Sequence, residues 1–237
     1  MTTFAADVSA VLAALGAVRD PELDEPVTSL GFVTSCTVSA DGVAGVRLRL
    51  PTYFCAPNFA FLMVADAYDA VSSVDGVRRA DVVLEDHFAS DAINRGVAAR
   101  AGFVQSFDGL AAAELDELRA DFLRKAVLAG TDRVCRPLLA AGNTTDDLAA
   151  LTLGDAPPSA DRERLRSRRA ELGLPSGDGS ALLVDAATGE AVGAQALPLH
   201  LRRARLTRVS AEANGGVCRG LLRERYGTRG HGEEEDQ

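Results

Sequence analysis

Leu50-Pro51-Thr52-Tyr53-Phe54-Cys55-Ala56-Pro57-Asn58-Phe59 separates two apolar patterns of different period. Before it, Val43 to Leu50 alternates: Val46, Leu48 and Leu50 share one face, and Arg47 and Arg49 the other, which is the two-residue repeat of a strand. After it, Phe59 to Val74 is apolar at helical spacing. Cys55 therefore stands where a strand ends and a helix begins. Unpaired amides and the dipole at a helix N-terminus favour negative charge, so a thiol placed there gains thiolate character. Thiolate is the form that ligates metal or attacks an electrophile. The competing reading is a small buried hydrophobe, the commonest role of a free cysteine.

Working outward, the N-terminal side reads as helix, acidic turn and strand. Phe4, Val8, Val11, Leu12, Leu15 and Val18 form a helical face that Thr2 or Thr3 could cap. Asp20-Pro21 stops this helix, and Asp20-Pro21-Glu22-Leu23-Asp24-Glu25-Pro26 is turn-forming. Phe32 to Val38 is a strand, Ala40-Asp41-Gly42 a hairpin turn, and Val43 to Leu50 the return strand. Beyond the Cys55 turn and its helix, Asp75-Gly76 is a break, and Arg78 to Leu84 is a third strand ending at Glu85-Asp86-His87. Because a helix supplies the crossover, the third strand can pair in parallel. Helix, strand, strand, helix, strand over residues 1–90 predicts a small α/β sandwich.

From residue 91 to 230 the patterns are mainly helical, so the whole chain is predicted to be α+β. Helices are expected over Ala92 to Arg100 and over Leu110 to Leu128, with Arg133 to Ala141 continuing after a break at Gly130. More are expected after a cap at Thr144 or Thr145, and over Ala160 to Leu172, Pro198 to Ala213 and Val217 to Tyr226. Ala181 to Val184 and Ala191 to Ala194 read as a small hairpin around Thr188-Gly189. Residues 231–237 form an acidic tail, expected to be disordered.

Composition narrows the function. The net charge is −9, which argues against a binder that neutralises nucleic-acid phosphates. Residues 1–92 hold 5 Arg and 13 acidic residues, net −8; residues 158–230 hold 13 Arg and 8 acidic residues, net +5. Mixed sign within one chain suits docking between its halves or onto a protein partner, although charge-rich faces such as Arg162 to Arg169 are usually solvated. With no Trp and Lys125 as the only lysine, the core must be aliphatic. No leader pattern or bilayer-length apolar run is evident, so a cytoplasmic setting with reduced cysteines is expected. Gly215-Gly216 lacks the lysine and spacing of a nucleotide loop, and three histidines give no Ser/His/Asp set.

These residues together resemble the MIP18-type domain, also called the domain of unknown function 59. The resemblance rests on the element order, the Asp20-Pro21-Glu22 turn, the Ser29-Leu30-Gly31 step into the first strand and the cysteine turn before the second helix. It covers rather more than a third of the chain. The family turn commonly reads Thr, three residues, Cys, Pro; here Thr52 is three before Cys55, and Ala56 intervenes before Pro57. The family contains iron–sulfur cluster assembly and targeting factors and a phenylacetate-oxygenase accessory protein. The whole chain is similar to a longer actinobacterial type associated with soluble di-iron monooxygenases.

The resemblance implies a non-enzymatic accessory factor for iron or iron–sulfur cluster delivery. Cys55 would be a transient thiolate ligand, and a client metalloenzyme, such as a di-iron monooxygenase component, the partner. Asp20, Glu22 and His87 are further metal candidates, and Thr52 and Asn58 lie near the thiol. One cysteine cannot hold a cluster that usually takes four thiolates. Extra ligands would come from a homodimer, a partner, Cys36, Cys135 or Cys218. Cys36 lies in the first strand, and Cys135 and Cys218 on apolar helical stretches, so packing competes with ligation at all three. Two alternatives stay open. One is a non-metal adaptor or folding helper for an oxygenase complex; the other is a thiol-dependent enzyme, which lacks an evident base near Cys55. No nucleic acid or membrane partner is expected.

Overall fold

The computed structural model describes residues 7–227. It divides into two compact units, Met1–Leu115 together with Gly215–Gln237, and Asp116–Asn214. The architecture is α+β, with a small sheet in the first unit and a helical second unit.

In the first unit, α1 (Val8–Leu15) starts at Asp7, whose carboxylate accepts the Ala10 amide as an N-cap. The expected caps Thr2 and Thr3, and Phe4, lie outside the described residues. Strands β1 (Val33–Val38), β2 (Val43–Arg49) and β3 (Arg79–Glu85) form a sheet in the order β1-β2-β3. β1 and β2 are antiparallel; β2 and β3 are parallel, joined through α2 (Pro57–Ser72). The alternation places Ala44, Val46 and Leu48 of β2, with Ala80, Val82 and Leu84 of β3, in the core. The opposite face carries cross-strand pairs Arg47–Asp81 and Arg49–Glu85 at 2.8 and 2.9 Å. Helices α3 (Ser90–Ala98) and α4 (Phe103–Ser106) complete the elements before residue 115, and Ile93 and Val97 enter the same core.

The hairpin turn requires its glycine. Gly42 has φ +80°, and a Cβ there would stand 2.8 Å from the Gly76 carbonyl oxygen.

The second unit contains α5 (Asp116–Ala140), α6 (Thr145–Ala150), α7 (Ala160–Glu171) and the first part of α8 (Leu197–Tyr226). Thr144 caps α6 through a reciprocal capping box with Asp147. The expected break at Gly130 is absent. A Cβ at Gly130 would lie 3.3 Å from a Leu165 methyl, so this glycine admits α7 rather than ending α5. α5 begins at Asp116 rather than Leu110; residues 111–115 are irregular, and the Glu114 carboxylate there accepts the Phe103 and Val104 amides at the start of α4. Gly215-Gly216 does not divide α8 either; a Cβ at Gly215 would come within 2.9 Å of the Glu25 carboxylate. The expected hairpin is reduced to a single bridge, Val184 to Ala191.

The basic face of α7 is only partly solvated. Arg169 is fully buried and donates to the carbonyls of Ala181 and Leu182 at 2.9 and 2.5 Å. Burial pulls its pKa down to about 10. Arg208 is buried against Asp132 at 2.6 Å. These arginines hold loops and helices in place. The tail 231–237 lies outside the described residues.

Candidate functional site

The Cys55 turn is built by two constraints at its ends. Leu50 is buried, ending the strand in the core, and Pro57 occupies the first helical position, where its fixed φ suits helix entry. Ala56 is the N-cap, so Cys55 sits one residue outside the helix. Within the turn the Cys55 amide donates to the Thr52 carbonyl at 3.5 Å, and Thr52 Oγ1 lies 3.4 Å from Cys55 Sγ. Cys55 is half-buried.

The segment after β3 ties this turn down. His87 Nε2 donates to the Cys55 carbonyl at 2.7 Å, and the Phe88 amide donates to the Tyr53 carbonyl at 3.2 Å. The Ala89 amide donates to His87 Nδ1, which fixes Nδ1 as the bare nitrogen and Nε2 as the protonated one. Both ring nitrogens are thereby engaged in holding the loop. Burial holds the imidazole below its usual pKa, against the opposing effect of the Cys55 carbonyl, and Arg225 adds to the depression.

The acidic turn and the end of α8 belong to the same unit. Asp20 is buried, and its Oδ1 accepts the amides of Glu22 and Leu23, each at 2.9 Å. Burial pushes its carboxyl up to about 6, although those amides pull the other way. Residues 215–226 of α8 are anchored at both ends. Arg219 pairs with Glu25 at 2.6 Å. Arg225 and Tyr226 reach Asp86, the tyrosine hydroxyl donating to Oδ2 at 2.7 Å. The Arg49 guanidinium lies 5.1 Å from the centre of the Tyr226 ring. Cys218, one residue before the first of these anchors, packs on the core that Cys55 also touches. Burial pushes the Cys218 thiol up to about 11, with Asp20, Cys55 and Glu22 near enough to add to the effect.

Of the sequence candidates, Asp20, Cys55 and Glu22 all act electrostatically on the Cys218 thiol, Thr52 lies against the Cys55 sulfur, and His87 stands behind the loop. Asn58 turns its side chain onto its own backbone, accepting the Phe59 amide. Cys36 lies opposite Val46 in the sheet, and burial raises its thiol pKa. Cys135 is sealed in the core of the second unit, where burial pushes it up to about 12. Among the described residues no group of three His, Cys, Asp or Glu is arranged to hold a metal ion.

Three features escaped the sequence reading. Tyr53, Phe54 and Phe88 form a rim of mutually packed rings, with centroids 5.1 to 6.3 Å apart, and Phe54 is 77% exposed. Aromatic residues beside a reactive-looking cysteine were the available signal. The other two, the Asp86 anchor and its Tyr226 partner, are 140 positions apart and leave no local pattern.

Comparison with known proteins bears on the first unit. A family model described as "Iron-sulfur cluster assembly protein" matches residues 9–82, from α1 into β3. An uncharacterized protein of Methanocaldococcus jannaschii is 30% identical over 84 residues, which is 35% of this chain and 86% of that relative. No solved structure matches the chain significantly. Through the segment that carries the acidic turn, the sheet and the Cys55 loop, the chain belongs to the iron–sulfur cluster assembly protein family.

Proposed function

We propose that the protein is an accessory factor that takes up iron or an iron–sulfur cluster at Cys55 and passes it to a client metalloenzyme in the cytoplasm. The observation that carries this reading is the Cys55 turn itself. Cys55 is half-buried, its carbonyl is fixed by His87, and it acts electrostatically on the Cys218 thiol, as Asp20 and Glu22 do. Cys55 and Cys218 would offer sulfur, which iron accepts, and with no three ligands brought together among the described residues the other positions fall to a partner or the client. Two sulfurs fall short of the four thiolates of a resident cluster, which suits cargo that must leave.

On this reading Cys55 is the entry ligand and Cys218 the second sulfur. The high pKa of Cys218 means that its proton leaves only when a cation compensates the charge. No small substrate is turned over. A di-iron monooxygenase component is the candidate client.

Delivery is tested by loading the chain anaerobically with ferrous iron and sulfide, then adding an apo iron–sulfur acceptor protein. The cluster spectrum of the acceptor should develop faster than with free iron and sulfide, and a chelator that traps free iron should not abolish it. No acceleration, or full inhibition by the chelator, contradicts the proposal.

A second reading, a metal-free adaptor, is favoured by the exposed aromatic rim, which is an apolar landing surface beside the turn. It requires that Cys55→Ser leave client maturation intact and that Phe54→Ser abolish client binding.

A further inference from the structure

His200 stands between two hollows of the second unit. One, of about 310 Å³, is walled by Glu190, Val192, Ala196 and Leu199. The other, of about 240 Å³, is walled by Arg124, Lys125 and Leu128. Asp185, His200 and Arg203 line both, which makes them two halves of one cleft. Its loop side is held in shape. The Asp185 amide donates to the Glu190 carbonyl and the Gly189 amide to the Asp185 carbonyl, each at 2.8 Å, beside the Val184–Ala191 bridge. On its helix side His200 and Arg203 are three residues apart on α8 and share a face.

Charge in the cleft is balanced. Asp185 and Glu190 bring two carboxylates, Lys125 and Arg203 two cations, and among the described residues none of the four makes an ion pair. Asp185 Oδ1 accepts the Ala187 and Thr188 amides at 2.8 and 3.1 Å, and Lys125 lies 4.7 Å from the centre of the Phe122 ring. Arg124 is already paired with Asp121 at 2.6 Å. Burial holds the His200 imidazole below its usual pKa, against the pull of Asp185, so it adds no charge above pH 7. Its Nε2 is buried and bonds nothing among the described residues, a costly state for a polar atom. A simple anion in the cleft would face two carboxylates. A metal ion would face two cations, and among the described residues no three ligands converge. A molecule with one charge of each sign meets neither conflict, and the half-exposed Leu199 with Val192 and Ala196 offers it an apolar wall.

We propose that this cleft binds a small zwitterion of the amino-acid type, its ammonium at Asp185 and Glu190, its carboxylate at Arg203 and Lys125, a hydrogen bond to His200 and its side chain against Leu199. A free amino acid and a short peptide share that chemistry. Hollows of this volume are at the small end for ligand pockets, which suits either. The site lies outside the matched family segment, residues 9–82, and belongs to the second unit alone.

L-Leucine and dileucine are titrated into the isotope-labelled full chain and followed by the NMR signals of its backbone amides. At least one of them should shift residues 185–193 and 199–203 saturably, and which one binds separates amino acid from peptide. The N-acetylated and C-amidated forms of the binder each lack one charge and should bind at least about tenfold more weakly. Glu190→Gln and Arg203→Gln should each weaken binding about tenfold. Both positions are exposed, so signals away from the cleft should stay where they are in the wild type. No saturable shift with either compound overturns the proposal, as do shifts confined to other residues. So does a singly charged form that binds as tightly as its parent, which would mean a plain anion or cation site, or an affinity unchanged in either variant.

Discussion

His87 hydrogen-bonds the carbonyl oxygen of Cys55 across 2.7 Å from a position 32 residues further along the chain. The bond makes the cysteine turn a fixed element, because the imidazole is itself oriented by the Ala89 amide. His87→Ala leaves a partly buried carbonyl without its donor. We expect a loss of about 1–3 kcal/mol in urea unfolding. Iodoacetamide should alkylate Cys55 at an altered rate, with the rate at Cys36 unchanged. Equal stability and equal Cys55 reactivity would show that the bond does not organise the turn.

Acid should act on the first unit through two buried groups with opposite signs. The Asp20 carboxyl is raised from 3.8 to about 6 in the fold. Its contribution to stability is therefore complete below pH 3.8 and lost as pH rises through about 6. That swing is worth roughly 2–3 kcal/mol. His87 is depressed below 6.5, so its contribution is present above that pH and lost as pH falls towards the folded value. The two trends offset each other below pH 6.5. Asp20→Asn, which keeps an oxygen acceptor for the Glu22 and Leu23 amides, should expose the histidine trend: stability then falls more steeply on acidification than in the wild type. Parallel pH profiles for the two proteins would contradict the assignment.

Arg169 supports the second unit from inside. Arg169→Met fills similar volume but strips the Ala181 and Leu182 carbonyls of their donors. One buried and one partly buried acceptor without partners should cost about 2–4 kcal/mol. Denaturation followed by hydrogen exchange should place the loss in residues 116–214. A neutral substitution would mean that water replaces the guanidinium.

Tyr226→Phe removes the hydroxyl that donates to Asp86 while keeping the ring under Arg49. The stability change should be modest, about 1 kcal/mol. Hydrogen exchange should quicken over residues 218–226 and over 86–89 together, because each segment holds the other. Faster exchange in the helix alone would separate the two.

The fold of residues 7–90 was legible because period and punctuation agreed there. The alternation through Val46, Leu48 and Leu50, the Asp41-Gly42 turn and the Pro57 helix entry each specified the element that formed. Further along, glycine misled the reading. Gly130, Gly215 and Gly216 look like breaks when taken alone, yet Gly130 and Gly215 are helix positions where another side chain comes close: Leu165 at Gly130 and Glu25 at Gly215. Such a role depends on a residue distant in sequence, so no local pattern could distinguish it from a stop. The arginines of α7 pose the same difficulty, since Arg169 faces loop carbonyls that become visible only on folding. Within the candidate site, Cys55 and the acidic turn could be singled out by local chemistry. Cys218 could be named as a further thiol, but its place beside them depends on anchors at Glu25 and Asp86.

Sulfur ligation at the turn after β2 is the central claim, and iron retention tests it most directly. Wild type, Cys55→Ser and Cys218→Ser are incubated anaerobically with ferrous iron and sulfide, desalted, and assayed for iron per chain and for sulfur-to-iron absorption, across pH 6 to 8.5. Wild type should retain iron with a thiolate charge-transfer band, more strongly at higher pH because the ligands must lose protons; Cys55→Ser should lose both signals and Cys218→Ser should keep a reduced share. Iron and absorption retained by a folded Cys55→Ser protein at the wild-type level would contradict the account.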